Sequence, residues 1–361
     1  MFARDRIVKL VSIAVLFIGL WAPTVLADTH QDIYFNVSLR QTGGAKIHAD
    51  VFNNPSANRG LLTILAVHGM SERGSMFGPL ANAIYADPVL KNVVKRIISL
   101  DMVAHGLSSA PTLPSPTKFG DLLIEDNASV IIQAIDILRS RGLGPQVVMG
   151  HSMGGLAIQT AQELLLAQGS SLAAHNVYTA ILIASVPCRG TVWTRFPTGD
   201  MSPFVTTDPV LGTILDIPAA GCNAIGGFTS LATGTLVPNA PSVATCIAND
   251  WIGIEPLTAI LEMTGAYCVG SPDSLTSTGL CRPAVRQNAF ALKNGTLLMV
   301  LSFSQDVLAP AVDQDNLYTY LTGLPSTGLT LYRPIVADDA VHSMYISDPT
   351  GLIAALRAGL Y

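Results

Sequence analysis

An α/β chain with a mostly parallel central sheet, helices on both faces and one long insertion is what this sequence predicts, on three observations. Short continuous apolar runs alternate with stretches of helical periodicity. One run leads into Gly150-His151-Ser152-Met153-Gly154, a turn that joins a strand tightly to a helix. About a hundred residues, from Pro187 to Val285, break that rhythm.

Taken in chain order, the N-terminus carries Arg4, Arg6 and Lys9 and then an uncharged run from Leu10 to Leu26 that includes Pro23. With Val25-Leu26-Ala27 closing it, this predicts a secretory signal peptide over residues 1–27, cleaved after Ala27, and a secreted or periplasmic protein. The run falls short of a membrane span, and no later stretch is long and uncharged enough to supply one after cleavage. The full chain of 361 residues has a net charge of −5, and removing a leader with three basic residues and one acid makes it more acidic. That balance argues against nucleic acid or an anionic membrane as the main partner. A hydrophobic content of 49% is enough for a large buried core.

Ile33 to Phe52 shows two partly alternating segments around Gly43-Gly44, which predicts an opening β-hairpin. Leu61–Val67 and Val93–Leu100 are continuous apolar runs and predict buried parallel strands. Between Asp121 and Arg139, Leu122, Ile124, Val130, Ile131, Ala134, Ile135 and Leu138 recur at helical spacing. Gln146–Met149 predicts the strand before the glycine-serine-glycine turn. Leu156, Ile158, Ala161, Leu164, Leu165 and Ala167 predict the helix after it, with Gly169 as its stop. Thr179–Ser185, Thr296–Phe303 and Leu329–Val336 supply three further strands. The core is therefore read as residues 28–187 and 285–361, with residues 188–284 as an inserted cap.

The insertion holds all five cysteines, Cys188, Cys222, Cys246, Cys268 and Cys281. Their spacing matches no zinc pattern, so two disulfides and one free thiol are expected in an exported chain, with the pairing open. No lysine or arginine lies between Arg195 and Arg282, and the charged residues there are all acidic. An acidic, apolar lining would disfavour anionic substrates and suit neutral ones.

A serine hydroxyl is a poor nucleophile at neutral pH and needs a positioned base, itself oriented by a further group. His342 is the one histidine downstream of His175, and it follows the last predicted strand. Asp306 lies three residues past the Thr296–Phe303 strand, at the carboxyl edge of a parallel sheet where catalytic loops gather. The catalytic candidates are Ser152 as nucleophile and, on the chain order serine, acid, histidine that the resemblance named below implies, His342 as base and Asp306 as the orienting acid.

Strand, G-x-S-x-G turn and helix, followed in the chain by Asp306 and then His342, resemble the α/β-hydrolase superfamily, in particular its exported esterases and lipases. The resemblance covers about residues 45–187 and 285–361. His68-Gly69-Met70 is similar to the family's oxyanion turn, which implies that the backbone N–H groups of Met70 and Met153 receive the developing oxyanion. Asp101-Met102-Val103-Ala104-His105-Gly106-Leu107-Ser108 is similar to a structural turn of the family, so His105 is given no catalytic role. His151 and His68 are read as packing and turn-stabilising residues.

The activity this implies is cleavage of carboxylic esters through an acyl-enzyme, on neutral apolar esters or lactones, with no metal or organic cofactor in the reaction. The partner is then a small-molecule or lipid ester. Acyl transfer or cofactor-free perhydrolysis from the same triad is the alternative reading, and a non-catalytic binding module on the same fold is a third. Nothing in the sequence sets the oligomeric state.

Overall fold

The computed structural model of the chain describes residues 30–39, 43–56, 62–69, 72–103, 105–109, 124–185, 297–303 and 349–360. It describes the backbone alone of six short strands at 205–208, 212–215, 229–230, 235–236, 330–332 and 335–336. Residues 1–29, Met70, Asp306, His342 and the five cysteines lie outside the described residues. Among the described residues, no helix is long and apolar enough to cross a membrane.

The hairpin forms as expected: β1 (His30–Ser38) pairs antiparallel with β2 (Gly44–Asn53), in a register that sets Asp32 opposite Asp50 and Tyr34 opposite His48. β3 (Leu62–Val67), β4 (Val94–Leu100), β5 (Val147–His151), β6 (Thr179–Ile183) and β11 (Leu297–Phe303) follow. Two two-stranded antiparallel ribbons fall between β6 and β11: β7 (Val205–Asp208) with β8 (Gly212–Leu215), and β9 (Thr229–Ser230) with β10 (Thr235–Leu236). The main sheet runs β1-β2-β4-β3-β5-β6-β11-β12, and every pair from β4 to β12 is parallel.

The expected single strand over Leu329–Val336 is two pieces, β12 (Thr330–Tyr332) and β13 (Ile335–Val336), each parallel to β11. Pro334 lies between them in the chain. It has no N–H to give a ladder, which is reason enough for a break.

Alternate residues of the central strands serve opposite faces, as a sheet covered on both sides requires. Leu65, Val67, Val148 and Leu182 pack on one face, with Val130, Ile131 and Ala134 of α2 (Ile124–Ser140) and Leu156 and Ala161 of α3 (Met153–Ala167). Ile64, Ala66, Met149 and Ile183 pack on the other, with Leu80 and Ile84 of α1 (Gly78–Ala86) and Leu352 and Leu356 of α4 (Thr350–Leu360). Each such valine, leucine, isoleucine or methionine side chain contributes about 1.5–3 kcal/mol on burial. Helix α3 ends where Gly169 predicts. With φ at 71°, Gly169 donates its N–H to Leu166 O and Ser170 donates to Leu165 O, the paired closing bonds of a left-handed C-terminal stop.

Polar contacts on both sides tie the periphery to this core. Arg357 of α4 binds Asp87, just past α1, through Nε at 2.7 Å and through Nη2, while the other oxygen of Asp87 accepts the Val89 and Leu90 N–H groups. On the far side, Gln133 of α2 accepts the Ser38 N–H at 2.9 Å and donates to the Ser38 carbonyl at 2.7 Å, and Arg141 donates to the Tyr34 carbonyl at 3.0 Å.

Candidate active site

The carboxyl ends of β3 and β5 lie side by side, and the glycine-serine-glycine turn leaves the second of them. Ser152 has φ 51° and ψ −118°, a conformation that a β-carbon normally forbids. Close approach makes the flanking glycines obligatory. A Cβ on Gly150 would stand 2.6 Å from the Gly154 carbonyl, and one on Gly154 would stand 2.3 Å from Val67 O. The Ser152 N–H is held by Ile183 O of β6 at 3.0 Å, and its carbonyl accepts the Gly155 and Leu156 N–H groups that start α3. Of the five residues in the turn, Ser152 alone is partly exposed; Gly150, His151, Met153 and Gly154 are buried. A strained serine thus stands at the N-terminus of α3, where backbone N–H groups lack intrahelical partners and favour negative charge. Ala184, at the end of the adjacent β6, has φ 45°, so two of the three non-glycine residues at positive φ among the described residues sit at neighbouring strand ends here.

Behind the turn lies a residue that sequence reasoning missed. Glu72 is buried and uses one oxygen, Oε2, for both the Gly69 N–H at 2.6 Å and His151 Nδ1 at 3.0 Å. It links the predicted oxyanion turn to the residue before Ser152. Burial works against its charge, but the adjacent His151 and the Gly69 N–H outweigh that and hold the carboxyl down at about 2. The fit is close: a Cβ on Gly69 would come within 2.9 Å of Glu72 Oε2 and 3.0 Å of His151 Nδ1. The available signal was an acid four residues after His68, which in a loop reads as a solvated side chain.

His68 stabilises the same turn, as the sequence predicts. Its Nε2 accepts the Met102 N–H at 3.0 Å, so Nδ1 carries the proton and donates to the Gly69 carbonyl at 2.6 Å. Burial, with His105 4.7 Å away ring to ring, pushes its pKa down to about 4. Asp101 likewise confirms the structural reading of its motif. It is fully buried and accepts the Gly74 N–H at 2.7 Å, the Leu107 N–H at 2.8 Å and His48 Nδ1 at 2.7 Å. Ser108 Oγ donates to the Asp101 carbonyl.

The structure therefore brings Ser152 and Met153 to the carboxyl edge of the sheet, beside a turn fixed by His68 and Glu72. Of the remaining predicted site residues, Met70 adjoins Gly69 in the chain, Asp306 comes three residues after β11, and His342 falls between β13 and α4. Away from this edge, two overlapping sets, His30-Asp32-Asp50 and His48-Asp50-Asp101, each hold donor atoms within 4.8 Å of one another, close enough for a metal ion.

Comparison with known proteins bears on the fold and the family. A profile of the alpha/beta hydrolase family matches residues 64–356, whereas a search of curated proteins finds no match. Among solved structures, an esterase from Thermogutta terrifontis bound to malate is similar at 14% identity, with a TM-score of 0.51 and coverage of 90% of this chain and 97% of that one. An esterase from Rhodococcus sp. is similar at 15% identity and a TM-score of 0.53, covering 91% and 98%. An enol-lactonase from Burkholderia xenovorans is similar at 14% identity and a TM-score of 0.54, covering 90% and 99%. At these identities the likeness is one of fold. With the family profile spanning most of its length, the chain belongs to the alpha/beta hydrolase family.

Proposed function

We propose that the protein is an exported serine hydrolase of carboxylic esters, acting on neutral apolar esters or lactones. The observation that carries this reading is the elbow: a strained, partly exposed Ser152 in a turn whose other residues are buried, at the N-terminus of α3. Strain of this kind is retained where presenting a nucleophile outweighs its cost of about 1–3 kcal/mol.

In the proposed reaction Ser152 Oγ attacks the substrate carbonyl carbon while His342 takes the hydroxyl proton and Asp306 holds the imidazole. The Met70 and Met153 amides receive the oxyanion. Collapse of the intermediate expels the alcohol, which takes the proton from His342. Water then attacks the acyl-enzyme with the same base and regenerates Ser152. The Gly69 carbonyl belongs to the same planar peptide as the Met70 amide, so the bond from His68 bears directly on that donor, while Glu72 holds the N–H of the peptide before it. Neighbours of the same fold include esterases and an enol-lactonase, which makes ester and lactone carbonyls the first substrates to assay. The acidic cap over residues 188–284 is taken to shape access to them.

The test is labelling by a fluorophosphonate probe together with turnover of a chain-length series of neutral esters and lactones. Ser152→Ala should abolish labelling and lower turnover at least about a thousandfold while the protein melts as the parent does. Full turnover in that variant would remove Ser152 as the nucleophile. Equal turnover of anionic and neutral substrates would remove the proposed substrate preference.

A further inference from the structure

The outward half of the opening hairpin carries a second polar cluster, with no part in the chemistry above. Residues two apart on a strand share a face, so β1 presents His30 and Asp32 beside His48 and Asp50 of β2. Asp32 and Asp50 are directly opposite in the antiparallel register, an arrangement of like charges that destabilises a strand pair unless something compensates it. Each imidazole is steadied by the aromatic residue across from it. The His30 ring stacks on Phe52 at 5.3 Å, and the His48 ring lies 5.0 Å from that of Tyr34.

The donor atoms converge. His30 Nε2 is 2.6 Å from Asp50 Oδ1 and 3.8 Å from Asp32 Oδ1, and His48 Nε2 is 3.1 Å from Asp32 Oδ1. Ligands about 2.0–2.1 Å from a tetrahedral ion stand about 3.3 Å from one another; the two separations from His30 bracket that value, and the donor atoms of His30, Asp32 and Asp50 all lie within 4.8 Å of one another. Behind this face, His48 links Asp32, through Nε2, to the buried Asp101 carboxylate, through Nδ1 at 2.7 Å, the hydrogen-bonded support that orients a metal-ligating carboxylate.

Charge and hydrogen bonding both leave the cluster short of a cation. Asp32, Asp50 and Asp101 are three carboxylates, and among the described residues the one Lys or Arg side chain within ion-pair reach is Arg73, at 3.8 Å from Asp101. Asp50 Oδ2 has no hydrogen-bond partner although its side chain is only 3% exposed. An orphaned carboxylate oxygen at that depth is costly. His30 and Asp32, at 41% and 51% exposure, give an ion access from solvent.

We propose that this face binds a divalent transition-metal ion of the Zn²⁺ type, with His30, Asp32 and Asp50 as protein ligands, water completing the shell, and His48 as the outer partner of Asp32. An imidazole nitrogen among the ligands suits such an ion better than Ca²⁺ or Mg²⁺, which prefer oxygen-only shells. Its role is structural: it clamps the two strands of the hairpin and, through His48 and Asp101, joins them to the backbone at residues 74 and 107.

The experiment takes the full chain, stripped with EDTA and titrated with Zn²⁺ or Co²⁺. One equivalent should bind, the melting temperature should rise with Zn²⁺ concentration, and Co²⁺ should show the visible absorption of a four-coordinate nitrogen and oxygen site. His30→Ala and Asp32→Asn, at the exposed rim, should leave the metal-free protein folded. They should weaken Zn²⁺ binding by at least the roughly 10–100-fold that loss of an outer partner alone costs. In the parent protein the ring resonances of both His30 and His48 should shift on adding Zn²⁺, a readout independent of any variant. No melting shift, unmoved histidine resonances, a thiolate charge-transfer band in place of the nitrogen and oxygen spectrum, or equal binding by both variants would overturn the proposal. The hairpin would then hold hydrogen-bonded pairs only.

Discussion

Two buried carboxylates, Glu72 and Asp50, sit in polar clusters of opposite character. Glu72 is buried, and its partners among the described residues include the His151 imidazole and the Gly69 amide, both of which favour its charge. Asp50 faces a second carboxylate across the strands, shares one oxygen with His30 and keeps the other without a partner. Protonation follows suit. Although burial disfavours its charge, Glu72 is driven firmly to the ionised form, whereas burial dominates at Asp50 and lifts its pKa above the usual carboxylate range. Burial alone does not decide what a buried acid is for; the completeness of its partners does. The complete cluster positions the backbone around Ser152, and the incomplete one is open to a ligand.

The contrast is broken most severely at Glu72. Glu72→Ala strands His151 and the Gly69 N–H in a dry pocket and should cost about 3–5 kcal/mol in denaturant unfolding. Glu72→Gln keeps an acceptor for the Gly69 N–H, so it should fold and show its effect in kcat, lowered by about 10- to 100-fold with KM little changed. An equal loss in KM would mean that Glu72 acts on binding rather than on the geometry of the turn. Gly69→Ala attacks the same cluster from the backbone side, wedging a methyl between Glu72 and His151, with an expected cost of about 1–3 kcal/mol.

Acidity separates the two clusters by sign. His68 has a folded pKa of about 4 against 6.5 unfolded, so its contribution is present above pH 6.5 and is lost as pH falls from 6.5 to 4. Glu72, at about 2 against 4.5, loses its contribution over the next interval, between 4.5 and 2. His48 behaves oppositely. Burial lowers its pKa, but Asp101 overcomes that and raises it, so its contribution is present below 6.5 and is lost as pH rises through the raised value. Hydrogen exchange at pH 5 and pH 8 should therefore show weaker protection around residues 68 and 102 at the lower pH, and weaker protection of the β1–β2 ladder at the higher. The same sign at both places would dissolve the distinction. The smallest effect is expected for Asp32→Asn without metal, within about 1 kcal/mol, since Asp32 is half-exposed.

The elbow was legible because its requirements are local: an apolar strand, two glycines that admit close backbones, and a periodic helix with a glycine stop. The hairpin and the five following parallel strands were legible for the same reason, their apolar runs being continuous. Helix α1 was not foreseen. It starts at Gly78-Pro79 without a polar cap and has nine residues, too few for its periodicity to stand out. Helix α4 was also missed, although Pro349 precedes it and Arg357 in its last turn anchors it to Asp87. The partners of Glu72 lie 3 and 79 residues away in the chain, and those of Asp50 are set by strand register. Neither pairing leaves a mark on residue type. Both are products of the fold.

The carboxamide of Gln133, which takes up both the N–H and the carbonyl of Ser38, stands in for the next strand of the sheet. With Arg141 on the Tyr34 carbonyl, helix α2 occupies bonding positions along an outer strand that would otherwise offer itself to any extended peptide. Three backbone groups of β1 are thereby withheld from any strand that might pair with this edge of the sheet.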